Sequence, residues 1–294
     1  MKDRFGRDIK SLRISVNCEC NLRCFYCHKE GHKSSERYLT PEDFEKIVKT
    51  AMKFGIEKVK ISGGEPLLRE DIVEIVRRIK NLGIKDLSLT TNGTLLKDLA
   101  YELKEAGLDR INISLFSLNK ERFGKFIGGN LDDVIEGIRI ATKLFYPVKI
   151  NYVVTTVNID EFNEMLKFCK EVKAILQVIE LIPTTEPLKK FYYSINTLEE
   201  KIKERANKVF VRKFQNRKKY FLDGLEVEFV KPMDNTEFCA NCSRIRVTHD
   251  GHLKPCLLRD DNLIDIYNAL KKNEDLEKYF LECIYRREPY FRKK

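Results

Sequence analysis

Leu12-Arg13-Ile14-Ser15-Val16-Asn17-Cys18-Glu19-Cys20-Asn21-Leu22-Arg23-Cys24-Phe25-Tyr26-Cys27 is a short alternating run that opens straight into a cysteine-rich loop. Leu12, Ile14 and Val16 form one face of a strand, and Arg13, Ser15 and Asn17 the other, because successive side chains point to opposite sides. The same separation recurs downstream. Lys58, Lys60 and Ser62 alternate with Val59 and Ile61; Ser88 and Thr90 with Leu87 and Leu89; Asn112 and Ser114 with Ile111, Ile113 and Leu115; Lys149 and Asn151 with Val148, Ile150 and Tyr152. A parallel sheet covered by helices on both sides is apolar on both faces. Five strands sharing one polar face instead predict a curved partial barrel with helices outside and a wet, cationic interior.

Working outward, strands are expected at 12–17, 57–62, 85–90, 109–115, 147–154 and 174–182, with helices at 41–54, 70–81, 95–106, 131–144 and 159–170. Thr40-Pro41-Glu42-Asp43 opens the first helix with a capping hydroxyl and Pro at its first position. Six βα units make the fold class α/β, a partial (β/α)6 barrel resembling the TIM arrangement. The alternation fades at Pro183-Thr184-Thr185-Glu186-Pro187. We therefore expect a barrel over 1–183 and an extension over 184–294, the latter with a charged segment at 189–220, a strand at 225–231 and a Cys-rich hairpin.

The chain has 294 residues, 43% hydrophobic and 34% charged, enough apolar material for a large core and unlike collagen or a disordered chain. Lys and Arg number 55 against 45 Asp and Glu, a net charge of +10 that a solvated surface explains as readily as a polyanionic partner. No apolar run approaches the roughly 18 residues of a membrane span. The first residues lack the apolar core of a signal peptide, so a cytoplasmic location without membrane association is expected.

Nine cysteines in such a chain point to metal or catalysis rather than disulfides. Cys20, Cys24 and Cys27 follow the first strand, where a loop can wrap three thiolates around one centre. Three ligands suit a four-iron cluster with one open iron; a tetrahedral zinc site, with His28 or Cys18 as fourth ligand, is the alternative. Cys239, Cys242 and Cys256 form a second group. Asp250-Gly251 is a hairpin turn signal that places Cys256 roughly opposite Ile245, beside the other two thiols, and puts Arg244 and Arg246 on one face. Here a zinc ribbon is the alternative.

Cys-x3-Cys-x2-Cys with Tyr26 before the last cysteine resembles the radical S-adenosylmethionine (SAM) enzymes, in which the open iron chelates SAM. Ser62-Gly63-Gly64-Glu65-Pro66 is similar to their glycine-rich segment, where glycine permits close backbone approach. Both triplets, with Cys242-x-Arg244-x-Arg246, resemble the GTP 3′,8-cyclases of molybdenum cofactor biosynthesis over nearly the whole chain. That resemblance implies two 4Fe-4S clusters, one cleaving SAM at Cys20, Cys24 and Cys27, the other binding the purine at Cys239, Cys242 and Cys256. It implies SAM contacts at Tyr26, Gly64, Ser114 and Ile182, and GTP contacts at Arg13, Lys60, Thr90, Lys149, Arg244 and Arg246. The implied product is 3′,8-cyclo-7,8-dihydro-GTP, with 5′-deoxyadenosine and methionine as by-products. The implied partners are a reductant and a downstream cyclic pyranopterin monophosphate synthase, with a homodimer as one option.

The chain departs from that family at several positions. Lys60 and Gln177 stand where arginine is frequent, Phe116 where an Asp commonly follows Ser-Leu, and Ile182 where Met is frequent. The end, Tyr290-Phe291-Arg292-Lys293-Lys294, lacks the Gly-Gly tail of many members. Cys169 shares a helical stripe with Phe162, Met165 and Leu166 and reads as core, while Cys18 and Cys283 read as non-ligands. His28, His32, His249 and His252 show no metal-ligand pattern. The rival functions are a radical SAM peptide- or RNA-modifying enzyme with an auxiliary cluster, and a zinc-stabilised nucleic-acid-binding protein. No RNA-binding module is apparent, and nucleic acid is not an expected partner.

Overall fold

A computed structural model describes residues 1–29, 35–233 and 235–290; the expectation for His32 and the end of the tail lie outside these. Among the described residues, twelve strands form one sheet. They are β1 (Ser11–Ser15), β2 (Lys58–Ser62), β3 (Asp86–Thr91), β4 (Arg110–Ser114), β5 (Val148–Val154), β6 (Ile175–Glu180), β7 (Lys208–Val211), β8 (Lys218–Leu222), β9 (Leu225–Val230), β10 (Arg244–Val247), β11 (His252–Lys254) and β12 (Ile264–Asp265). The order is β12-β11-β10-β1-β2-β3-β4-β5-β6-β9-β8-β7. β1 to β6 are parallel neighbours in sequence order, the pattern of right-handed βα crossovers.

The helices are α1 (Pro41–Lys53), α2 (Ile72–Asn81), α3 (Leu96–Glu105), α4 (Lys120–Ile127), α5 (Leu131–Leu144), α6 (Phe162–Glu171), α7 (Glu186–Lys189), α8 (Asn196–Arg205), α9 (Thr236–Ala240), α10 (Tyr267–Lys271) and α11 (Glu277–Tyr285). Thr40 caps α1 through a reciprocal pair with Asp43, as its sequence predicts. The apolar alternates Leu12, Ile14, Val59, Ile61, Leu87, Leu89, Ile111, Ile113, Ile150 and Leu176 are all buried and join one core with the helices. Cys169 is buried in α6 with Phe162, Met165 and Leu166, and Cys283 in α11 beside Phe280 and Ile284. Among the described residues, no helix is long and apolar enough to cross a membrane.

The chain after 183 does not stack a further layer on the barrel. It lengthens the same sheet at both edges: β9 joins β6 in parallel, and β10 joins β1 in parallel. Residues of β1, β6 and β10, and Arg217 just before β8, all line one cavity, so the sheet curves around its polar face.

The turn between β10 and β11 corrects one expected register. A two-residue turn at Asp250-Gly251 would set Cys256 opposite Ile245. Instead Thr248 N–H donates to His252 O at 2.9 Å, His249, Asp250 and Gly251 form a three-residue loop, and Gly251 takes the left-handed conformation with φ +86. Arg246 then pairs with Lys254. Continuing that register by two residues brings Cys256 opposite Arg244, on the face that the arginines share.

Candidate active site

A cavity of about 1210 Å³ occupies the concave side of the sheet, and both cysteine triplets open onto it. Topology sets them at opposite ends. Cys20, Cys24 and Cys27 follow the C-terminal end of β1, whereas Cys242 precedes the N-terminal end of β10, which runs parallel to β1. Between them the register aligns Arg246, Arg13 and Lys60 across three strands. Thr90 and Asn112 form another pair, and Ser114 and Asn151 a third.

The early loop is held by aromatic packing that the sequence did not reveal. Phe25 contacts the rings of Tyr26, Phe116, Phe126 and Phe191 at centroid distances of 5.4, 5.5, 5.3 and 4.8 Å. Phe116, the departure from the family pattern, thus serves as packing for the loop. Arg23 N–H donates to Ile127 O at 2.8 Å, tying the loop to the end of α4. Tyr26 lies within hydrogen-bond contact of Cys24. Asn92, also unforeseen, points Nδ2 at Cys20 Sγ over 3.9 Å.

Glycine at 64 is required by the backbone. A Cβ there would sit 2.1 Å from Glu19 O and 2.6 Å from Cys18 O, so the approach of this segment to the cysteine loop admits no side chain. Glu65 then turns inward and is fully buried, accepting hydrogen bonds from Leu67 N–H, Thr91 Oγ1–H and Asn92 N–H at 3.1, 2.6 and 2.7 Å. Burial raises its carboxyl to about 7 despite those bonds.

The three early thiols fit a cationic cluster. Burial and the neighbouring Cys27 and Cys20 push the Cys24 thiol up to about 12, a mutual repulsion of thiolates that a shared cluster relieves. Among the described residues, no three His, Cys, Asp or Glu side chains converge closely enough for a single metal ion. Cys242 sits in the opposite field. Although burial opposes it, Arg287, Arg244 and Arg246 hold the Cys242 thiol below its ordinary value.

The middle of the cavity is crowded with cations. Burial and then Arg13, Arg244, Arg110 and Lys149 push the Lys60 ammonium well down. Burial, Arg246 and Arg13 do the same to the Arg244 guanidinium. Arginine stays charged in proteins, so this crowding remains as repulsion that a polyanion relieves. Arg13 Nε donates to Ser62 Oγ at 3.0 Å, and Arg244 Nε to Ser11 Oγ at 3.4 Å.

Tyr26, Gly64, Ser114, Ile182, Arg13, Lys60, Thr90, Arg244, Arg246 and all six cysteines of the two triplets line the cavity. Lys149 is the exception. It does not line the cavity; its buried ammonium is paired with the fully buried carboxylate of Glu228. Cys18 and His28 also line the cavity, while His252 Nδ1 lies 3.1 Å from Asp250 and His249 is buried.

A partial parallel barrel with a cysteine triplet in the loop after its first strand defines a radical SAM protein, and the Radical SAM superfamily model matches residues 14–169. The Molybdenum Cofactor Synthesis C model matches 174–293. A Methanocaldococcus jannaschii protein named Probable GTP 3′,8-cyclase is 57% identical over 296 residues, covering 99% of each chain. A Pyrococcus horikoshii protein of the same name is 52% identical, covering 98% of this chain and 97% of that one. The chain belongs to this GTP 3′,8-cyclase family of the radical SAM superfamily. Its cofactors accordingly include a 4Fe-4S cluster and SAM. Among solved structures, Streptococcus suis SuiB bound to precursor peptide SuiA aligns with TM-score 0.71 at 20% identity, over 93% of this chain and 67% of that one. Native anSMEcpe with bound AdoMet aligns with TM-score 0.54 at 20% identity, over 92% of this chain and 82% of that one. At such identities the likeness is one of fold.

Proposed function

We propose that the cavity binds SAM beside Cys20, Cys24 and Cys27, and GTP across its cationic middle. The protein is a radical SAM enzyme that converts GTP to 3′,8-cyclo-7,8-dihydro-GTP, the first step of molybdopterin biosynthesis. When bound, the reduced cluster and SAM supply the radical that removes a ribose 3′ hydrogen atom, an unactivated C–H bond with no acidic proton for a side chain to take. Methionine and 5′-deoxyadenosine are the by-products.

The chain's own work is positioning. Cys20, Cys24 and Cys27 hold the first cluster. Gly63 and Gly64 offer bare backbone to SAM, with Tyr26, Ser114 and Ile182 around it. Cys239, Cys242 and Cys256 would hold a second 4Fe-4S cluster, which would supply a binding point for the purine. Arg13, Lys60, Arg244 and Arg246 neutralise the triphosphate, Thr90 orients the nucleotide, and Lys149 contributes by compensating Glu228. Residues 1–183 serve as the barrel and 184–294 as the extension that brings the second cluster. A separate reductant supplies the electron, and a cyclic pyranopterin monophosphate synthase consumes the product. The reading extends to a cytoplasmic enzyme, with a homodimer compatible with it.

One observation carries this reading: two cysteine triplets at opposite ends of one cavity, with a cationic wall between them. Iron and sulfide analysis of anaerobically reconstituted protein tests it. About eight of each per chain are expected. Two zincs without sulfide would overturn it.

A further inference from the structure

Gln177 faces the cavity from β6 with both ends of its amide engaged. Its Nε2 donates to Asn151 Oδ1 at 2.8 Å, and its Oε1 accepts from Arg217 Nη1 at 3.3 Å. Arg217 arrives from the extension, just before β8. The register explains its reach: Gln177 aligns with Glu228 across β6 and β9, and Glu228 with Lys219 across β9 and β8.

The Glu228 carboxylate is shared by three cations. Lys149 pairs with Oε2, while Arg212 Nη1 and Arg217 Nε lie 2.8 and 3.2 Å from Oε1. Three positive charges on one carboxylate leave two in excess, in a place where Lys149 and Glu228 have almost no access to water. Uncompensated buried charge is costly, and a bound anion removes that cost.

Two details aim the excess into the cavity. Arg217 lines it, and its buried Nε lies against Glu228 Oε1 at 3.2 Å without hydrogen-bond geometry, so that the shared carboxylate does not fully satisfy it. Phe214 lies beneath both Arg217 and Arg244, with guanidinium carbons 5.2 and 4.8 Å from one ring centroid. The two forks are thereby brought to one stretch of wall. Burial lowers Arg217 to about 10, with Arg212 adding to the shift and Glu228 and Cys242 opposing it.

We propose that Arg217 is a further phosphate-binding residue of the nucleoside triphosphate site, set in place by Glu228 and Gln177. It returns from another segment the planar fork that Gln177 lacks at its own position. The inference rests on the GTP reading above.

The test titrates GTP and guanosine against reconstituted wild type, Arg217→Ala, Arg217→Lys and the double variant Arg217→Ala with Gln177→Arg. Arg217→Ala is expected to weaken GTP roughly ten- to hundredfold and leave guanosine unchanged. The double variant should regain most of that loss, because the fork is restored from β6. Arg217→Lys keeps a charge on Glu228 and serves where the alanine form does not fold; it should weaken GTP selectively by a smaller factor. Equal losses for GTP and guanosine, or unaltered GTP affinity, would overturn the role of Arg217 alone. A wild type that binds the two ligands equally would overturn the triphosphate reading and this inference together.

Discussion

Asp3 and Arg287, separated by 284 positions in sequence, meet in a buried ion pair behind the late cysteines: Arg287 Nε donates to Asp3 Oδ2 at 2.8 Å. Arg7 Nε shares that oxygen at 2.7 Å. The two guanidinia then grip the backbone that carries the late cysteines. Arg7 Nη1 donates to Cys239 O at 3.1 Å, and Arg287 donates to the carbonyls of Cys242 and Arg244. The carboxylate shows no exposure, so removing it strands two buried cations.

Asp3→Ala should therefore cost roughly 3–5 kcal/mol of stability, with the loss concentrated around the late triplet. Iron is expected to fall from about eight to about four per chain, with SAM cleavage at the first cluster retained. Iron analysis and the electron paramagnetic resonance signal of each cluster measure this. A full complement of iron in a folded Asp3→Ala protein would show that the clamp does not position the second cluster.

Gly64→Ala should disrupt the early loop, because its Cβ would fall 2.1 Å from Glu19 O, a backbone atom with no rotamer to change. At least about 2 kcal/mol of destabilisation is expected. Gly124→Ala is the control, since no atom lies within 4 Å of its Cβ position in α4. That change should be neutral or stabilise by about 0.5–1 kcal/mol. Thermal unfolding of both variants decides; equal midpoints would refute the close approach at position 64.

Lys149 gives a pH signature. Burial lowers it to about 8 although Glu228 opposes the shift. The folded value lies below the unfolded one of about 10.4, so between those values the unfolded chain binds more protons. This group's contribution to stability accordingly rises with pH, while its help to an anion is lost. The ratio of GTP to guanosine affinity should fall from about pH 7 to about pH 9 in wild type and be lower and flatter in Lys149→Met. A flat wild-type ratio would remove Lys149 from the anion site.

Much of this architecture is legible in the sequence because the barrel obeys a period of two. The six parallel strands lie within two residues of their expected ends, and the polar face predicted from Arg13, Lys60, Thr90 and Ser114 does line the cavity. Local signals run out where pairing is long-range. Nothing near Gln177 announces Arg217, and nothing near Cys242 announces Asp3. The charged segment at 189–220 hid β7 and part of β8, since β7, Lys-Val-Phe-Val, is exposed throughout and carries no face pattern. Asp223-Gly224 forms the turn between β8 and β9 and is the available clue to β8. α4 was missed for shortness, although Asn119 caps it and Gly128 ends it with φ 82. The alternation of Lys149 was read correctly, but its ammonium turns to Glu228, a partner 79 positions later.

The two triplets should fail differently. Cys24→Ala is expected to abolish reductive SAM cleavage. Cys242→Ala should retain SAM cleavage at the rate of wild type without GTP, yet form no cyclic nucleotide. Quantifying 5′-deoxyadenosine and the cyclic product in parallel separates the roles; cyclic product at the wild-type rate from Cys242→Ala would make the late cysteines structural.

In the proposed reaction GTP lies in this cavity with its ribose 3′ carbon facing the SAM site. Anaerobic reaction of the reconstituted enzyme with SAM, a reductant and GTP deuterated at the 3′ position tests it most directly. The expected products are 3′,8-cyclo-7,8-dihydro-GTP and 5′-deoxyadenosine that has gained the deuterium. Turnover of GTP accompanied by 5′-deoxyadenosine free of deuterium would contradict it.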